Sequence, residues 1–236
     1  MNISEIISDA LVYPFNNIKA LLKYVILGII AGVLMGGTIF AVFAGSAANN
    51  ALLAGGVGII GFIVSIIVAL LISGFELDII KYGIKRDSGA PGIEVTRQIV
   101  NAIKLIVVRF IYYLIPIIII AILGAIFKDW IIMIITVILL IIFSLAEFMG
   151  ECRLAKNDSL GSALSIGEAI GDISRVGIGK LIATIVIACI IMMILFAIIG
   201  AIFNFNAIVG GVLLGICGVY ITFFLARIKG LLYSDV

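Results

Sequence analysis

Six apolar stretches of about 20 residues each limit what this chain can fold into. They run over Tyr24–Phe43, Leu52–Phe75, Leu105–Phe127, Trp130–Phe148, Leu181–Phe203 and Ala207–Ala226. A helix of about 20 apolar residues covers the roughly 30 Å of hydrocarbon in a bilayer. The stretches are rich in isoleucine, which favours strands in water. In lipid that preference loses, because an open strand leaves its backbone groups unpaired. The runs are continuous rather than alternating, which excludes an outer-membrane barrel. With 64% hydrophobic and 12% charged residues, too little polar side chain remains to cover a water-soluble fold of this size. The sequence therefore predicts an all-α, integral membrane six-helix bundle.

The third stretch contains Arg109 and still qualifies. Its 16 large apolar residues contribute roughly −8 kcal/mol against about +3 kcal/mol for a central arginine. Arg109 also lies close enough to Lys104 to reach toward the interface. Thirteen of the 15 basic residues fall on the side of the two termini and the second and fourth connections; Lys128 alone falls opposite. Under the positive-inside rule this predicts a multi-pass protein of the cell membrane with N- and C-termini cytoplasmic. Met1 to Ala10 has no basic residue and so does not read as a cleavable signal.

The stretches fall into three hairpins, giving repeat units of about 1–75, 76–148 and 149–236 in one membrane domain (1–236). Each is preceded by an amphipathic segment, expected as a cytoplasmic helix lying in the interface. In the first, Ile3, Ile6, Ile7, Ala10 and Leu11 oppose Asn2, Glu5 and Asp9. In the third, Ala163, Ile166, Ile170 and Ile173 oppose Ser165, Glu168, Asp172 and Arg175. The middle copy spans Gly92 to Lys104. The exits of the second and fourth stretches match at an offset of 71 residues, pairing Glu76 with Glu147 and Lys85 with Lys156. Units with an even number of spans share one orientation, so their axis would lie along the membrane normal.

Tyr13-Pro14-Phe15 ahead of the first stretch, and Gly74-Phe75-Glu76-Leu77 with trailing basic residues at the end of the second, resemble an uncharacterised prokaryotic, largely archaeal, membrane family, domain-of-unknown-function 4013. The resemblance implies a multi-pass topology over nearly the whole chain and brings no chemistry. A likeness to mitochondrial carriers is architectural only: Pro116 is followed by four isoleucines rather than an acidic and a basic residue.

Two sets of residues are candidates for special roles. Small residues at Gly28, Gly32 and Gly36, and at Gly211 and Gly215, form stripes that suit close helix packing, and the first and last spans are expected to meet through them. Glu76, Arg109 and Glu147 lie at corresponding ends of three spans, and ionisable groups inside a membrane are the default functional candidates. They are expected at one depth, as an interfacial salt-bridge network or as a binding site. Lys128 and Asp129 read as a turn and Trp130 as an interfacial anchor.

Catalytic signatures are missing. The chain has no histidine, so Ser-His dyads and HExxH motifs are impossible. Gly177-Ile178-Gly179-Lys180 lacks the spacing of a phosphate-binding loop. Cys152, Cys189 and Cys217 are scattered and odd in number, as unpaired packing residues are. The expectation is no enzyme activity, no metal and no cofactor. Basic residues interleaved with acids exclude a nucleic-acid surface. The expected partners are the lipid bilayer and other membrane proteins or a second copy. The leading functional reading is a structural or accessory membrane component; the alternative is a small-solute or lipid permease with a site between the hairpins.

Overall fold

The computed structural model describes residues 1–30, 42, 58–127 and 130–236. Among them every regular element is a helix. α1 is Ile3–Asn16, and helical residues 18–30 form α2. α3 is Gly58–Ile84, α4 Val95–Ile126, α5 Trp130–Asn157, α6 Leu160–Ala163, α7 Ile166–Val176, α8 Ile178–Phe205 and α9 Ala207–Tyr233. Five described helices (α3, α4, α5, α8 and α9) are long and apolar enough to cross a membrane. Most of the expected first span, 24–43, lies outside the described residues, as do Gly32, Gly36, Lys128 and Asp129.

α1 begins on a reciprocal cap. Asn2 Oδ1 accepts from the Glu5 amide at 2.8 Å, and Glu5 Oε2 accepts from the Asn2 amide at 2.9 Å. Both helix-terminal donors are satisfied in this way. Part of the apolar face of α1 turns onto the protein, while Val12 and Phe15 are exposed. Ile6 and Ala10 are fully buried in the protein core, and the helix packs on α9 and α8. The middle amphipathic segment also departs from expectation. It is no separate helix, because α4 runs unbroken for 32 residues, about 48 Å. Pro116 does not interrupt it. By contrast α7 stops at Gly177, whose φ of 94° puts it in the left-handed region that suits glycine.

The helices that lead out of the apolar stretches extend well past them. α3 continues from Phe75 to Ile84, α5 from Phe148 to Asn157 and α9 from Ala226 to Tyr233. These extra turns hold the core. Leu77, Ile79, Ile80, Cys152, Leu154, Ile228, Leu231 and Leu232 are all buried there. Tyr24 stacks on Phe75 with ring centroids 4.1 Å apart, and Phe223 lies 5.2 Å from Phe75, joining α2, α3 and α9. At the far end, Trp130, Met133, Ile134, Val137, Ile138 and Ile141 of α5 are exposed. The molecule is thus tightly joined at the end that carries its charges and open along its apolar length. A surface of this kind is stable only against hydrocarbon.

Candidate functional site

The extra turns of α3, α5 and α9 meet α4 where the apolar stretches end, and five charged side chains converge at that seam. Arg109 of α4 reaches inward rather than along the helix toward the interface. Its Nη2 donates to both carboxylate oxygens of Glu76 on α3, at 3.0 and 2.9 Å. Its Nε donates to Glu151 of α5 at 2.5 Å and stands 3.6 Å from Glu147. Lys229 of α9 closes the circuit, with Nζ donating to Glu76 at 3.0 Å and to Glu151 at 2.5 Å. Its ammonium also lies 5.8 Å from the centroid of the Phe148 ring. Each cation thereby holds α3 to α5, and Lys229 adds α9.

The sequence reading placed Glu76, Arg109 and Glu147 at one depth, and the structure brings them together. It also adds two residues that reading missed. Glu151 has no exposed side-chain surface and touches both cations. The signal was present in the helical spacing, since Glu151 lies one turn beyond Glu147 on the same face. Lys229 was counted as a charge outside the last span, whereas α9 carries it inward against α5. The cluster holds three carboxylates and two cations. Glu147 has the loosest attachment of the five.

The glycine stripes fare unevenly. A Cβ at Gly28 would lie 3.3 Å from Val219 of α9, so that helix pair is in contact. At Gly215 a Cβ would meet no described atom within 4 Å, and the stretch of the first span expected to face it lies outside the described residues. The surroundings of Gly211 lie outside the described residues. Close approaches occur instead at isolated glycines. A Cβ at Gly74 would overlap the Gln98 carbonyl, and Gly83 and Gly230 abut backbone to backbone where α3 crosses α9.

Three further arginines form ion pairs that tie the charged end together. Arg97 of α4 donates to Asp78 of α3 at 3.2 Å, and Asn101 supports the same carboxylate at 2.8 Å. Arg153 of α5 donates to Asp172 of α7 at 2.9 Å and also pairs with Glu168. Arg227 of α9, itself buried, holds Asp9 of α1 at 2.6 Å and lies over the Tyr13 ring. Burial works against the ionised form of Asp172. Hydrogen bonds from Tyr233, at 2.6 Å, and Arg153, together with the Arg153 and Arg175 charges, outweigh it and hold this carboxyl below the usual aspartate range. Asp158 is likewise held low, chiefly by Lys104 at 2.7 Å and with help from Lys81. Burial raises the Tyr13 phenol above its ordinary value, so it stays a neutral donor to the Gly89 carbonyl.

Among the described residues no group of His, Cys, Asp and Glu is placed to hold a metal ion. An apolar cavity of about 180 Å³ lies between α5, α8 and α9 against Lys229. Another apolar cavity, of about 330 Å³ and lined by no member of the cluster, lies between α1, α2, α8 and α9.

Long apolar helices, a lipid-compatible surface and charges gathered where the apolar stretches end define a helical membrane protein. The profile of a family described as "Protein of unknown function (DUF4013)" matches residues 57–204, and the chain belongs to this family. The match includes Gly74-Phe75-Glu76-Leu77 and leaves out Tyr13-Pro14-Phe15. No curated protein and no solved structure matches the chain.

Proposed function

We propose that this protein is a non-enzymatic structural or accessory component of the cell membrane, with six spans in three hairpin units and both termini cytoplasmic. One observation carries the reading: the charged groups at the seam are engaged with one another. Arg109 and Lys229 each bind two carboxylates on different helices, which suits a clamp better than a vacant binding site. Buried pairs of this kind cost more when one partner is removed than they contribute as a net gain, so they enforce one arrangement of the helices.

The repeat reading draws support from the latches. Asp9 and Asp172, equivalent in the amphipathic segments, each pair with an arginine on an exit helix, Arg227 and Arg153. The middle latch reverses the charges: Asp78 and Arg97 are 19 residues apart, the separation of Arg153 and Asp172. Left-handed residues Arg86 and Asp158 follow the ends of α3 and α5. The ion pairs set Glu76 against Glu151, whereas the left-handed residues keep close to the register that sets it against Glu147.

The second reading, a small-solute or lipid permease, is favoured by the surplus carboxylate. With three acids against two cations, full ionisation leaves one negative charge that a passing proton or cation could neutralise. Reconstitution in liposomes holding a pH-sensitive dye separates the two. The clamp predicts no flux above empty liposomes, and Lys229→Met that unfolds at lower temperature. Flux under a pH or solute gradient that disappears in Glu147→Gln would replace the first reading with the second. A C-terminal fluorescent-protein fusion tests sidedness, with fluorescence expected because the tag stays in the cytoplasm.

A further inference from the structure

A cleft opens beside the charge cluster on the side of the molecule where α5 and α8 diverge. Its walls are Phe148 from α5, Ile185, Ala188, Cys189 and Met192 from α8, and Leu225, Ile228 and Lys229 from α9. It encloses about 180 Å³ and exposes carbon and sulfur on every side. Lys229 contributes only its methylene stem, because its ammonium is turned away onto Glu76 and Glu151. The cleft begins about two turns inside the start of α8 and reaches a further two turns along it. It is continuous with the exposed apolar faces of α8 and α5, where Ile182, Val186, Ile190 and Ile141 point away from the protein.

Water has no partner to bond in such a space. An empty cleft would forfeit dispersion contacts along its whole wall. A polar solute would face the same lack of partners. We infer that the cleft between α5, α8 and α9 binds an acyl chain of a membrane phospholipid, inserted laterally from the surrounding leaflet. A flexible chain a few methylenes deep satisfies the apolar walls and is at hand in the hydrocarbon the cleft faces. Seated there, it covers the Lys229 stem and keeps water from the Lys229–Glu151 pair. The site is independent of whether the protein clamps or transports.

The test uses the full chain reconstituted in phosphatidylcholine vesicles containing a trace of phosphatidylcholine with a photoreactive diazirine near the middle of one acyl chain. After illumination and digestion, mass spectrometry locates the adducts. Met192, Cys189 and Leu225 should be labelled more heavily than Ile190, which faces bulk lipid from the same helix. Cys189→Phe places a ring across the mouth of the cleft and should lower labelling of Met192 and Leu225 about fivefold. Labelling of Ile190 should stay constant and so report that α8 is intact. Cys189 is exposed, so this variant does not disturb a buried position. Met192→Ala enlarges the cleft and should raise labelling of Leu225. Equal labelling at Ile190 and Met192, no response to Cys189→Phe, or cross-links from Met192 to a second copy of the chain would each overturn the proposal.

Discussion

Asp172 illustrates how these side chains reconcile charge with burial. Its carboxylate has no exposed surface, yet it accepts from Arg153, Arg175 and Tyr233 at once. Its pKa is lowered in the folded protein, so the carboxylate contributes stability that is fully present above the unfolded value, near 3.9. That contribution is lost as pH falls through the lower folded value. Thermal unfolding in detergent should therefore show little dependence on this residue between pH 5 and 8, and a falling midpoint below about pH 4. Asp172→Asn should cost about 3 kcal/mol at neutral pH and flatten that acid limb. Tyr233→Phe, which removes one hydrogen bond to the carboxylate, should cost about 1–2 kcal/mol. If Asp172→Asn leaves the midpoint unchanged at pH 7, the latch contributes nothing.

Among the helices, the decisive contacts are those where backbones meet. Gly83 of α3 and Gly230 of α9 leave no room for a side chain on either, whereas a Cβ at Gly215 would meet no described atom within 4 Å. Gly83→Val should destabilise by about 3 kcal/mol, while Gly215→Leu should shift stability by less than about 0.5 kcal/mol. Both are measurable as shifts in unfolding by graded denaturing detergent. The apolar runs marked the helices in the sequence because the solvent they face is uniform, and Arg109 and Glu147 stood out as charges inside those runs, with Glu76 next to one. Glu151 was legible only through its spacing from Glu147, and Lys229 and the Gly83–Gly230 crossing were not legible. They lie on helix extensions that sequence composition assigns to loops, and helix ends in mixed sequence carry no hydropathy signal. The close glycines are single positions set by where two axes cross, which spacing along one helix cannot reveal. The merging of the middle amphipathic segment into α4 was hidden for the same reason: no glycine or proline marks a break there, but none was needed for the pattern to look like a separate helix.

Across the whole molecule, cohesion is concentrated at the charged end, and a double-mutant cycle can measure it. Glu76→Gln and Lys229→Met should each destabilise by about 3–5 kcal/mol. The double variant should recover part of the loss, giving a coupling of at least about 1 kcal/mol. Additive effects would mean that the two side chains touch without energetic consequence. Lys229 links α9 to both α3 and α5, so the cycle reads cohesion among these helices.

Lys229 is also the last member of its cluster to be synthesised. Glu76, Arg109, Glu147 and Glu151 all leave the ribosome earlier, and until α9 is complete three acids share a single arginine. At that stage Arg109 is the one cation of the cluster, and nothing yet joins α9 to it. The tie from α9 to α3 and α5 can form only after Lys229 has been added.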